Sequence, residues 1–192
     1  MHKMLLDIPQ RLETERLYLR CYEPGDGPWY YEMIKINRTH LERYESDNAA
    51  MSIETGDDAE VLVREFAAGW AARSYFFMGV FDKLNDRFVA QLYIGPSNWD
   101  LPEFEVGFFA DRDNEGKGYV TEALKGALGF IFKHLRAKRI ILHTDETNLR
   151  SIGVAERCGF VKEGLLRQNR KRPDGTFSNN LCYGLMESEF NV

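Results

Sequence analysis

Cysteine is scarce in this chain, and the three present, Cys21, Cys158 and Cys182, are scattered and show no CxxC spacing. That excludes a disulfide framework, gives no metal-ligand pattern, and predicts reduced thiols in a cytoplasmic protein. No apolar run approaches the roughly 20 residues that span a bilayer. Residues 1–7 are too short and too soon charged for a signal peptide, so the Asn37-Arg38-Thr39 sequon reads as accidental. A cationic excess is also missing: the net charge of −5 argues against non-specific nucleic-acid binding. Repeats and low-complexity linkers are absent too, and no Gly-x-x-x-x-Gly-Lys-Ser/Thr run exists to form a P-loop.

What is present is a soluble globular balance, 44% hydrophobic and 29% charged over 192 residues, which predicts one domain spanning residues 1–192. The charge is uneven. Residues 42–65 are mostly acidic, and residues 133–172 are mostly basic. A basic half suits a polyanionic small ligand, and Arg167, Arg170 and Arg172 suggest a mouth that welcomes an acidic substrate or acyl chain.

In chain order, residues 14–21 alternate apolar and polar as a half-buried first strand, and Pro24 to Pro28 stops it. A helical stretch runs through Tyr30, Met33, Ile34 and His40 to Tyr44. A second, from about 57 to 73, places Val61, Leu62, Phe66 and Trp70 on one face. Strands follow at 75–81 and 88–94, joined by a turn at 82–86. The run 139–144 is apolar at consecutive positions, which predicts a central strand covered on both faces. Asn148 caps a helix that runs to Cys158 and stops at Gly159. Two last strands, about 160–169 and 181–186, flank a turn at Pro173-Asp174-Gly175. The expected fold is a mixed α/β layer structure with one sheet.

The stretch from Phe108 to Leu135 organises the rest. An extended run at 105–110 breaks at Asp111-Arg112-Asp113-Asn114 and passes through Gly116-Lys117-Gly118 into an amphipathic helix. Val120, Leu124, Ala127, Leu128, Ile131 and Leu135 mark its buried face. Strand, glycine turn and helix together aim free backbone N–H groups at an anion. Two readings of that anion site compete. A dinucleotide fingerprint is approached, with Asp145 at the end of the next strand, but Thr121 occupies the third glycine position. The other reading is a pyrophosphate held by the loop and the first helical turn.

Four spaced motifs resolve the choice. Residues 116–123 (Gly-Lys-Gly-Tyr-Val-Thr-Glu-Ala), Asn148-Leu149-Arg150-Ser151, Gly159-Phe160-Val161-Lys162-Glu163-Gly164 and the N-terminal run 12–20 together resemble a GNAT acyltransferase of the RimJ/RimL, or ribosomal-protein N-acetyltransferase, type. The resemblance covers nearly the whole chain. It implies a mostly antiparallel sheet in which the strand at 105–110 carries a bulge and splays from the strand at 140–143. The opened edge would take the pantetheine arm of acetyl-coenzyme A. The cofactor-binding residues it implies are Phe108, Phe109, Ala110, Glu115, Gly116, Lys117, Gly118, Tyr119, Val120, Asn148 and Ser151. Ser151 would protonate the departing thiolate, a backbone N–H near Phe109 or Ala110 would hold the oxyanion, and Glu105 is the first candidate for general base.

Three departures are visible. Asp113 stands where the general signature has Arg or Gln, which predicts altered phosphate binding, with Lys117 or Arg112 supplying charge. Arg170 replaces a carboxylate found in some relatives, and Ser178-Asn179 replaces a His-Asp pair. The implied activity is acetyl transfer to a primary amine, a protein N-terminus or a small molecule. The alternative is a non-catalytic acyl-coenzyme A sensor on the same fold. A homodimer is the default assembly, and Tyr119, Tyr183, Trp99 and the histidines are expected to be packing or rim residues.

Overall fold

The structure is a computed structural model that describes residues 2–172 and 174–190. Its elements in chain order are β1 (Arg11–Glu13), β2 (Leu17–Cys21), α1 (Gly27–Glu45), α2 (Gly56–Ala72), β3 (Phe76–Asp82), β4 (Phe88–Asn98), β5 (Glu103–Ala110), α3 (Tyr119–His134), β6 (Arg139–Asp145), α4 (Leu149–Arg157), β7 (Val161–Lys171) and β8 (Phe177–Met186). The eight strands form one sheet in the order β1-β2-β3-β4-β5-β6-β8-β7. Every neighbouring pair is antiparallel except β5 with β6. The mixed, mostly antiparallel sheet expected from the sequence is therefore present. Among the described residues, no helix is long and apolar enough to cross a membrane.

Both sheet faces carry apolar cores. One contains Leu19, Phe76, Leu92, Phe104, Leu128 and Ile140 and lies under α3 and α4. The other is aromatic and lies under α1 and α2, with Tyr22, Tyr30, Phe66 and Phe109. Buried Gln91 keeps that aromatic cluster polar-satisfied, accepting from Tyr22 Oη at 2.7 Å and Tyr30 Oη at 2.9 Å. The two helices meet closely at Gly27, where a Cβ would lie 2.6 Å from the Glu60 main chain, so only glycine fits.

Local sequence explains most boundaries. α2 begins at a capping box in which Thr55 and Asp58 satisfy each other's backbone N–H groups, and it ends where Arg73 turns left-handed at φ 57°. Its buried stripe is Ala59, Val63, Phe66 and Trp70. Val61, expected on that stripe, is exposed, because at 100° per residue it sits about 200° from Val63.

Four other expectations are corrected. The first strand is a hairpin of β1 and β2, closed where the Leu17 N–H donates to Thr14 Oγ1 at 3.1 Å and the Thr14 N–H to the Leu17 carbonyl at 2.9 Å. β6 lies inside the sheet but is covered on one face only. Ile140, Leu142 and Thr144 are buried, while Ile141 is half-buried and His143 exposed, the period-2 alternation of a strand with helices on one side. The register shift between β4 and β5 falls at Ser97 of β4, not within 105–110. The last strands are longer than expected, and the turn between them includes Pro173, which lies outside the described residues. Asn37 of the sequon is fully buried in α1, closed to any modifying enzyme in the folded state.

Candidate active site

The parallel pairing of β5 with β6 lasts three residues, from Glu103 opposite Arg139 to Glu105 opposite Ile141. Beyond it the strands part. β5 stays paired with β4 as far as Ala110, and β6 with β8 as far as Asp145. Alternate main-chain groups of 106–110 and 142–145 thus face a gap with no strand across from them, which is where an extended ligand can hydrogen-bond. A cavity of about 740 Å³ occupies this gap, and the end of α1, the loop at 114–118 and the first turns of α3 and α4 complete its wall.

The loop enters α3 through two left-handed glycines, Gly116 at φ 74° and Gly118 at φ 78°. Nothing stands within 4 Å of the Cβ position at Gly116, and Gly118 is the N-cap of α3 with no side-chain bond to the helix. The first-turn N–H groups therefore remain available, and the helix dipole favours an anion there.

Several contacts fix this helix start. Glu122 accepts from Thr14 Oγ1 at 2.6 Å and from the Arg16 N–H and Nε at 2.8 and 2.6 Å. Burial alone would raise the Glu122 carboxyl, but these donors outweigh it and hold the group below its ordinary range. Arg16 Nη1 also donates to the Lys117 carbonyl at 3.1 Å, and Tyr119 Oη donates to Asp82 at 2.7 Å. On the other side, buried Asn37 donates to Asp111 at 2.9 Å and accepts from the Arg112 N–H at 2.8 Å. The Thr14-Glu15-Arg16 run and Asn37 therefore position the glycine turn.

The β6–α4 corner is built on Asp145. Its Oδ1 accepts from the Thr147 N–H at 2.8 Å and Thr147 Oγ1 at 2.6 Å, and Arg172 Nη2 reaches its Oδ2 at 2.9 Å. Burial would raise this carboxyl, yet the Thr147 and Arg172 donors hold it far below the usual carboxylate range. Three residues on, Asn148 Oδ1 accepts from the Ser151 N–H at 3.2 Å, starting α4 with Ser151 on the cavity wall.

Of the residues named from sequence, Phe108, Phe109, Ala110, Glu115, Gly116, Gly118, Tyr119, Val120, Asn148 and Ser151 line this one cavity. Lys117 is not among them, and its Nζ donates to Oδ1 of the wall residue Asn114 at 2.8 Å. Arg112 lies 3.5 Å from Asp113, and Arg150 and Arg157 line the cavity beside the loop. Arg150 contacts Glu115, whose other oxygen lies 3.4 Å from His40 of α1. Glu105 is not among the wall residues; its side chain is 42% exposed, its carboxylate lies 3.0 Å from His143 Nδ1, and His143 lines the wall. That contact lifts the His143 imidazole above its ordinary value.

The expected arginine mouth is largely neutralised. Arg172 is held by Asp145, Arg170 lies 3.4 Å from Asp47, and the α1 wall contributes Glu45, whose carboxyl burial pushes up. Trp99 and Tyr183 are packing residues, and His40 and His143 stand on the cavity rim, both as expected. What isolated histidines could not signal is their carboxylate partners, Glu115 for His40 and Glu105 for His143. The cysteines are free, and burial raises all three thiols, Cys158 to about 11, which makes them poor nucleophiles.

Residues 16–161 match the family described as the acetyltransferase (GNAT) domain, which takes in the gap, the glycine turn and the Asn148 corner. The chain belongs to the GNAT acetyltransferases. Its relatives include the uncharacterized N-acetyltransferase p20 of Bacillus licheniformis, 30% identical over 94% of this chain and 98% of that protein. The spermidine N(1)-acetyltransferase of Vibrio cholerae is 24% identical over 80% of this chain and 83% of its own. Mycobacterium smegmatis RimJ, solved with coenzyme A disulfide, superposes with a TM-score of 0.84 over all of this chain and 93% of its own. Its 21% identity speaks to the fold alone. As a GNAT acetyltransferase, the protein uses acetyl-coenzyme A as acyl donor.

Proposed function

We propose that this GNAT acetyltransferase is an N-acetyltransferase of RimJ/RimL type that moves the acetyl group to a primary amine, on a peptide N-terminus or a small molecule, in the cytoplasm. The observation that carries the reading is the convergence of the strand gap, the glycine turn and Ser151 on one cavity. The pyrophosphate rests on the amides from Glu115 to Tyr119, and the pantetheine arm runs along 106–110 with Asn148 beside it. The amine lone pair attacks the thioester carbon. A main-chain N–H near Phe109 or Ala110 meets the oxyanion. The C–S bond breaks as Ser151 Oγ gives the thiolate a proton. Names among the relatives support an amine acceptor, since one acts on spermidine and others are called N-acetyltransferases.

The test is release of coenzyme A thiol from acetyl-coenzyme A with a panel of peptides, polyamines and amino acids, beside a no-acceptor control. Release that depends on one acceptor class, reduced roughly 10- to 100-fold in kcat by Ser151→Ala with coenzyme A affinity unchanged, is the expected result. No release with any amine, while coenzyme A binds, would overturn the reading in favour of a sensor.

A further inference from the structure

We propose that His143 is the catalytic residue that takes the proton from the acceptor amine, and that Glu105 is a positioning residue that acts only through it. The inference rests on the amine-acetylation reading above and assigns the group that reading leaves open.

Topology places the reacting centre. The glycine turn, where phosphates bind, lies at the open end of the gap, just past Ala110. The closed end is the last paired position, Glu105 opposite Ile141. Between them lie roughly 17 Å of extended strand, so the arm of the donor runs from the turn toward the closed end. His143 is two residues past Ile141 on β6, so it shares a sheet face with Ile141 and Glu105, the face away from α4. It is one of the cavity-wall residues, and Glu105 meets that wall through its contact with the ring.

The ring is oriented for the task. Glu105 Oε1 lies 3.0 Å from Nδ1, so Nδ1 carries the hydrogen and Nε2 presents its lone pair. An ammonium proton of the acceptor passes to Nε2, forming an imidazolium that Glu105 stabilises. The freed amine attacks the thioester carbon, and its second proton ends on the departing sulfur, relayed by Ser151. The products are the amide, coenzyme A thiol and one proton, which leaves His143 for solvent.

The other groups around His143 do not duplicate this role. Glu103 of β5 is tied to Arg139 at 3.0 Å. Cys182 of β8 sits opposite His143, its thiol raised by burial, and Tyr93 of β4 is likewise raised, by burial first and then by Glu105. Across the cavity α1 brings His40, Arg43, Tyr44 and Glu45, and β7 brings Arg170. Asp145, farther along β6, is held by Arg172 and Thr147.

Glu105 raises the His143 proton affinity, so the working neutral ring appears only as pH rises through that lifted value. Activity is lost below it. The experiment measures kcat/KM against pH for wild type, His143→Gln and Glu105→Gln with the best acceptor of the panel, alongside NMR titration of the His143 ring proton and a thermal melt. His143→Gln is expected to lose roughly 100-fold in kcat/KM with its coenzyme A affinity unchanged. Glu105→Gln should move both the acidic limb and the NMR titration of His143 to lower pH. A limb belonging to the acceptor amine would not move. Near-normal turnover by folded His143→Gln, or a limb that Glu105→Gln leaves in place, overturns the proposal. Absence of turnover in wild type would instead overturn the amine reading itself.

Discussion

Replacing Gly118 with valine is expected to weaken coenzyme A binding about 100-fold or more, the loss that follows when two charge-assisted amide–phosphate bonds at about 1.5–3 kcal/mol each can no longer form. Two effects combine. Gly118 sits at φ 78° and ψ 3°, a left-handed conformation that a β-branched residue resists, so the turn must rearrange. A Cβ at this position would also stand 3.5 Å from Arg16 Nη2, on the guanidinium that bonds the Lys117 carbonyl of the turn. The clamps on the helix start, Glu122 with Thr14 and Arg16 and Tyr119 with Asp82, lie outside the turn and keep α3 in place. The variant should therefore stay folded. Calorimetric titration with coenzyme A, beside a circular-dichroism melt, checks this; an unchanged Kd would show that phosphates bind elsewhere.

The largest effect on stability is expected at Asp145. It is 4% exposed and receives Thr147 and Arg172. Asp145→Ala leaves the Thr147 N–H and the Arg172 head without their acceptor, and should cost about 2–4 kcal/mol in urea unfolding. The pH dependence has a definite sign. The folded carboxyl is held below its unfolded value, so its contribution is complete above roughly pH 4–5 and fades as pH falls below the ordinary Asp value near 3.9. Asp145→Asn should therefore flatten the acid limb of the stability profile. Wild type and the Asn variant losing stability in parallel between pH 5 and 3 would disprove the assignment.

Legibility in the sequence followed range. The strand–glycine–helix stretch and the Asn148–Ser151 corner are local, set by capping and turn chemistry within a few residues, and both stand where the sequence put them. Val61 falls off the buried stripe because counting apolar residues in a window ignores phase: at 100° per residue it lies about 140° from Phe66 and about 180° from Trp70. The run 139–144 looked doubly covered because apolar composition does not reveal that the helices pack on one side. Contacts across the sheet left no local trace. Glu105 and His143 are 38 positions apart, and Arg172 and Asp145 are 27 apart. A lone histidine in a strand offers no spacing to read, and a basic run such as 133–172 hides which of its arginines are already held by carboxylates.

The short parallel seam between β5 and β6 has a mechanical consequence. Three paired residues join a five-stranded half-sheet to a three-stranded one along the ladder, with Arg139–Glu103 and His143–Glu105 across the same seam and α3 packed on α4. On the proposed reading, the acyl donor lies in the gap and takes the place of a missing strand. The empty enzyme should exchange its amide hydrogens fastest along 106–110 and 142–145, and the donor should slow both segments together. Substrate would then serve as part of the scaffold while it is consumed, and each turnover that releases coenzyme A would loosen the sheet again.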